Sequence, residues 1–344
     1  MGVSIALIGL GNVGTEISKR IVELKLPRDK KISNLYINTK NFAKAYTFIN
    51  NTLQNIKNKV ESDINTGIIE LEEINSLKPQ IVINCASNCL EEIINRREMG
   101  IRNLELTRKI TSYIPRDSLY IIVTNHPLML SEDAVITNNR DPALTIGLTH
   151  IDTLRARAKI RSIIKEKPEY KDSSIDLSDI FVIGSHDYDP ETNENEMILA
   201  TQSRIGWVMF EDIKFLETRI KEIEDYVAQT AITQKKQLGD TKSDTALAIE
   251  DIILSAINEK RAVTAAVLCD FKSDYFSLDK DYDLFQKPSK NLYMSLPIKF
   301  KNFKAEFNSI DWFQQQTKQV KERFYKIALK QEMFMNKLRE EGKI

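Results

Sequence analysis

Residues 3–14 read VSIALIGLGNVG: a short apolar run rich in β-branched residues, then Gly9, Gly11 and Gly14 in a G-x-G-x-x-G spacing. A run of this length bounded by glycine predicts a buried parallel strand. The following TEISKRIVEL (15–24) places apolar residues at helical spacing, so the glycines sit where a strand turns into a helix. At such a turn the first glycine permits the tight bend and the second lets backbone approach a pyrophosphate. The third lets the helix pack on the strand. A helix N-terminus also offers unpaired N–H groups and the positive end of its dipole. Gly9, Gly11, Asn12, Val13 and Gly14 are therefore the expected phosphate-binding residues of a dinucleotide site.

Outward from this turn the first half alternates. NLYIN (34–38) reads as a second strand, IELEEI (69–74) as a short third, QIVINCA (80–86) and SLYIIVTN (118–125) as buried ones, with helical patterns between. Alternating strands and helices imply a parallel sheet with right-handed crossovers. Beyond about residue 145 the alternation fades into mixed elements. LTHIDTLRARAKIRSII is helical, DIFVIG a strand, ILATQS and WVMFED hairpin material, and 187–196 (DYDPETNENE) a polar acidic loop. The expected class is α/β, a Rossmann-type parallel-sheet domain over 1–145 followed by a mixed α+β substrate domain over 146–344.

Bulk properties exclude more than they identify. The chain has 344 residues, and 49 Lys and Arg balance 49 Asp and Glu, so no overall field recruits nucleic acid or an anionic membrane. No run approaches the roughly 18 apolar residues of a membrane span. The N-terminus lacks a basic region ahead of its apolar stretch and does not read as a secretory signal. Three cysteines, Cys85, Cys89 and Cys269, make no disulfide framework. Cys85 and Cys89 have no second Cys/His pair nearby, so no metal is expected. A cytoplasmic, reduced protein without nucleic-acid or membrane partners is the expectation.

The chemistry has to come from elsewhere in the chain. IDTLRAR (151–157) sets Asp152 and Arg155 three apart on one helical face, and FVIGSHD (181–187) ends a strand in Gly184-Ser185-His186. At these residues the chain resembles the lactate/malate dehydrogenase family, whose helix L-D-x-x-R-x-R precedes a strand ending V-x-G-x-H-G. The resemblance implies that His186 is the general acid/base, Asp152 its partner, and Arg155 the clamp on the substrate carboxylate. MGIRNLELTRKI (99–110) resembles the family's mobile-loop arginine and the helix after it, which makes Arg102 the group that polarises the substrate carbonyl. Asn125 in VTNHP matches the asparagine beside the nicotinamide and substrate, and Thr241 a threonine of the substrate pocket.

The resemblance implies a small-molecule 2-keto or 2-hydroxy acid as substrate and a homodimer or homotetramer as the assembly. Arg96, six before Arg102, leans the substrate toward malate/oxaloacetate rather than lactate/pyruvate. At the end of the second strand, where an acid would bind the adenosine ribose and repel a 2′-phosphate, LYINTK places Asn38 followed by Thr39 and Lys40. NAD is the expected cofactor, with NADP left open. Three departures stand out: His126 intervenes between Asn125 and Pro127, Asp187 replaces the glycine after His186, and KFKNFKAEF lacks the glycine of the late hairpin. They leave an alternative open, an inactive or repurposed NAD(P)-binding protein of the same fold. His150 reads as structural.

Overall fold

The computed structural model of the chain describes residues 2–27, 30–88, 96–166, 176–189, 194–201, 218–238, 242–259, 261–277, 285–307 and 311–344. In chain order the elements are β1 (Val3–Ile8), α1 (Asn12–Glu23), β2 (Ile32–Asn38), α2 (Phe42–Thr47), a π-helical Phe48–Leu53 and α3 (Gln54–Val60). Then come β3 (Asn65–Ile68), α4 (Ile74–Leu77), β4 (Ile81–Asn84), α5 (Arg96–Thr111), β5 (Leu119–Ile122), α6 (Pro127–Asn138) and β6 (Thr145–Leu148). The rest is α7 (His150–Lys165), β7 (Ile180–Asp189), β8 (Glu194–Thr201), α8 (Ile220–Leu238), α9 (Lys242–Asn258) and β9 (Val263–Cys269). The last elements are α10 (Asp274–Ser277), β10 (Leu292–Lys301), β11 (Lys304–Phe307), α11 (Asp311–Gln314) and α12 (Lys318–Glu340).

The chain divides into two compact units, 1–148 with 240–261 and 299–306, and 149–239 with 262–298 and 307–344. The sequence reading drew a single boundary, 1–145 against 146–344. The chain instead returns to the first unit twice; in the first return α9 packs on α1, where Arg20 donates to Glu250 Oε2 at 2.7 Å, and Lys30 beyond α1 donates to Ile257 O at 3.2 Å.

In the first unit every pairing along β3-β2-β1-β4-β5-β6 is parallel. The strand order reverses between β1 and β4, the switch point at which such sheets bind ligands beyond their carboxyl ends. Ile5, Leu7, Leu35, Ile37, Val82, Ile83, Ile121 and Ile122 are fully buried, as the near-continuous apolar runs require. The third strand is Asn65–Ile68, four residues earlier than IELEEI suggested. Glu70 instead opens a helical turn with a capping box: Glu73 N donates to the Glu70 side chain, and Glu70 N donates to Glu73 Oε2 at 2.7 Å. The late hairpin closes without glycine, since Asn302 and Phe303 take φ of 50° and 64° between the end of β10 and β11.

In the second unit β9, β10, β7 and β8 form an antiparallel order. α7 and α8 cover one region of it through Ala156, Ile160, Ile163, Ile223 and Val227 against Val182, Met197 and Leu199. A second apolar cluster gathers Phe271, Phe276, Phe313, Phe324 and Tyr325. The acidic stretch expected as a loop is largely strand: β7 runs to Asp189, and β8 starts at Glu194. WVMFED, Cys89 and Thr241 lie outside the described residues.

Candidate functional site

The phosphate turn is built from backbone. Gly9 has φ of 95°, and a Cβ there would stand 2.7 Å from Ala86 N, so the β1–α1 and post-β4 segments approach as closely as glycine allows. A Cβ on Gly14 would stand 2.0 Å from Gly9 O, which fixes the helix against the turn. Gly11 has nothing within 4 Å of where its Cβ would be, and Gly11 and Asn12 are exposed. Gly11 caps α1 with no side-chain hydrogen bond, and the first turn, including Asn12 and Val13, holds no acid. An open glycine beside a helix start with no acid in its first turn fits the pyrophosphate of a dinucleotide. Asn38 ends β2, where its carbonyl accepts from Gly9 N at 2.9 Å and its Nδ2 donates to Ile69 O at 3.0 Å.

The second unit holds the ionisable cluster. His186 Nδ1 and Asp152 Oδ2 are 2.5 Å apart, and Arg155 Nη1 lies 3.8 Å from Asp152 Oδ1. Asp152, Arg155 and His186 are 2%, 5% and 7% exposed, so all three carry their charge or proton out of bulk water. Groups of this kind are almost never buried unless paired, and they gather at functional sites.

Local structure explains how they meet. α7 is pinned at three points to the strand that carries His186 and the turn before it. Arg157 Nε donates to Ile180 O at 3.0 Å, its Nη2 to Ser178 O at 2.7 Å, and Val182 N to Thr153 Oγ1 at 2.9 Å. At Gly184, with φ of 108°, a Cβ would stand 2.5 Å from Glu196 O. Pairing then slips, for Gly184 faces Met197 and Tyr188 faces Asn195, so residues 185–187 stand opposite Glu196 alone. This bulge re-aims His186 out of the regular alternation. Ser185 is held in turn by donating to buried Glu196 at 2.7 Å. Nothing in the sequence singled out Thr153 or Glu196, and Arg157 stood in the L-D-x-x-R-x-R match without a role, since their partners are backbone atoms or residues distant in the chain.

The remaining expected residues are scattered through the first unit. Asn125 follows β5, and the Asn125–His126 peptide bond is cis. His126 is fully buried and caps α6, its Nδ1 accepting from Met129 N at 3.2 Å. Arg96 opens α5. Arg102 stands within that helix rather than on a loop, 53% exposed and 2.6 Å from Glu98. His150, in the second unit, has its Nδ1 3.1 Å from Thr264 N and from Thr264 Oγ1. Among the described residues no group of three or more His, Cys, Asp or Glu is placed to hold a metal, and no helix is long and apolar enough to cross a membrane.

A Rossmann-type parallel unit and an antiparallel unit with a buried His–Asp pair define a class of two-unit α/β protein. The particular fold is that of the malate and lactate dehydrogenases. Malate dehydrogenase from Plasmodium falciparum aligns with a TM-score of 0.76 at 16% identity, over 98% of this chain and 99% of that one. The minor L-lactate dehydrogenase from Enterococcus mundtii, in its ligand-bound form, gives 0.75 at 14% identity over 98% of each chain. The Plasmodium malate dehydrogenase in complex with NADH gives 0.70 at 15% identity, over 97% and 99%. No protein-family model matches the sequence, and no curated protein matches it.

Proposed function

We propose that this protein is an NAD(P)-dependent oxidoreductase interconverting a 2-keto acid and a 2-hydroxy acid. The observation that carries the proposal is the buried 2.5 Å contact of His186 Nδ1 with Asp152 Oδ2, with Arg155 against the same carboxylate. When bound, the nicotinamide supplies the hydride to the carbonyl carbon of the keto acid, or takes it back from the hydroxy acid. His186 donates a proton from Nε2 to the keto oxygen and recovers it in reverse, because Asp152 occupies Nδ1 and fixes the tautomer. Asp152 also stabilises the imidazolium, the form of His186 that accompanies the keto acid and that is regenerated when the hydroxy acid gives up its hydroxyl proton. Arg155, planar and permanently charged, receives the substrate carboxylate.

Gly9, Gly11, Asn12, Val13 and Gly14 would hold the cofactor pyrophosphate, and Asn125 would lie toward the nicotinamide end. A solved neighbour of this fold carries NADH, which supports NAD(H) as the first cofactor to test. Arg102 is left outside the reaction centre, since its guanidinium is engaged with Glu98 on an exposed helix face. Oxaloacetate is the first substrate to test, given Arg96 at the start of α5, and pyruvate the second.

The test follows oxidation of NADH and NADPH with a panel of 2-keto acids, alongside fluorescence titration of NADH. His186→Asn is expected to lower kcat by ~10²–10⁴-fold with NADH affinity retained, as removal of a general acid does. NADH binding without turnover of any 2-keto acid would make the chain a binding protein of this fold and overturn the proposal.

A further inference from the structure

Two segments leave the carboxyl ends of the neighbouring parallel strands β4 and β5: residues 85–88 and residues 123–126. Ligands of such sheets lie against segments in this position. Both are tied to one side chain, Asn103, which sits in the middle of α5 and is fully buried. Its Oδ1 accepts from Asn88 N at 2.8 Å and from Ser87 Oγ at 3.3 Å. Its Nδ2 donates to Met99 O at 2.8 Å and reaches Asn125 O at 3.5 Å.

Two further contacts close the same gap. Thr124 Oγ1 donates to Ala86 O at 2.6 Å, joining the segments from the strand side. One turn before Asn103, a Cβ on Gly100 would stand 2.9 Å from His126 N and 2.8 Å from His126 Cβ. The helix therefore lies against the Asn125–His126 backbone at a distance only glycine permits. An asparagine is a poor residue for a helix interior, because its amide competes with the backbone. Here the amide supplies what no apolar side chain could, an acceptor toward one segment and a donor toward the other.

We propose that Asn103 is a positioning residue. It holds residues 87–88 and the carbonyl of Asn125 at a fixed separation, and so sets the wall against which the nicotinamide end of the cofactor is laid. The inference rests on the dehydrogenase reading and on Asn125 facing that end. It adds that the alignment of the cofactor with the substrate depends on a residue touching neither.

The test compares wild type with Asn103→Leu, which keeps the number and branching of side-chain heavy atoms and removes both polar functions, and with Ser87→Ala, which removes one donor at an exposed position. The readouts are NADH fluorescence titration, kcat and KM for the best 2-keto acid, and the primary isotope effect with NADH deuterated at the transferred position. Asn103→Leu is expected to lower kcat per NADH-binding site by ~10–100-fold, the cost of a misplacement near 1 Å, with keto-acid KM little changed and a larger isotope effect. It is also expected to lose the fluorescence enhancement of the bound nicotinamide. A merely structural role would reduce the number of binding sites and leave kcat per site, isotope effect and enhancement at wild-type values, which overturns the proposal. Should Asn103→Leu fail to fold, Ser87→Ala carries the test: a few-fold drop in kcat with a raised isotope effect supports the clasp, and wild-type values overturn it. Should wild type turn over no keto acid, the dehydrogenase reading fails by itself. The fluorescence arm then decides on Asn103, an unchanged enhancement counting against it.

Discussion

Arg155 and Arg102 each stand on a helix with an acid one turn earlier, Asp152 and Glu98, and the protein treats the two pairs in opposite ways. Arg155 and Asp152 are 5% and 3% exposed at their side chains, whereas Arg102 and Glu98 are 53% and 49% exposed. The exposed pair is the shorter, 2.6 Å against 3.8 Å, yet water screens it and both chains lose freedom in forming it. The buried pair shares its carboxylate with His186 from a strand about thirty residues on, so it belongs to tertiary structure rather than to its helix. Spacings of three and four residues both put the partners on one helix face, so sequence alone does not separate the two pairs. Burial separates them, and the buried pair is the one proposed to direct a proton and an anion.

Substitutions can break that contrast or sharpen it. Asp152→Asn is the most severe, because it leaves His186 and Arg155 buried without the charge that joins them. The expected loss in kcat/KM is ~10²–10⁴-fold, and a loss under tenfold would reduce the buried cluster to a structural one. Tyr120→Phe asks whether burial strengthens polar contacts in the first unit too. Burial pushes this phenol up to about 12, against the opposing hydrogen bonds of Thr111 and Asn84, so it stays protonated. Its oxygen lies 2.9 Å from the donating Asn84 Nδ2 and 3.3 Å from Thr111 Oγ1. Removing it strands a buried amide and is expected to lower the unfolding free energy in urea by about 1–3 kcal/mol, with kcat nearly unchanged. An unaltered unfolding midpoint would break the contrast. Arg102→Gln should do least: a change within about 0.5 kcal/mol in stability and a kcat within about threefold of wild type. A hundredfold loss of kcat would show instead that Arg102 leaves Glu98 to reach the substrate.

What the sequence made legible was local. The G-x-G-x-x-G turn can be read because each glycine answers a steric demand of its immediate surroundings, and the parallel strands because both faces are apolar. The third strand was misplaced because Glu70-Leu71-Glu72-Glu73 supports either alternation or a capping box, and the reciprocal hydrogen bonds that decide it are visible only in the folded chain. The return of α9 to α1 rests on pairs such as Arg20 with Glu250, 230 residues apart, which no local pattern announces. His186, Asp152 and Arg155 were legible as a set through resemblance. The bulge at Gly184 and the pins from Thr153 and Arg157 that bring them together were not. Asn103 reads in sequence as one more polar residue of a mixed helix, and its role emerges only when the two segments it touches are known.

The most direct measurement of the central claim is the discrimination between a charged substrate and its neutral twin. Steady-state kcat/KM would be compared for the best 2-keto acid and its methyl ester, in wild type and in Arg155→Gln. A buried guanidinium that receives the carboxylate should make wild type favour the acid by ~10²-fold or more, and the substitution should bring the two substrates to within about fivefold. If wild type accepts the ester as readily as the acid, or if the preference survives in Arg155→Gln, the buried cluster is not the substrate site and the account fails.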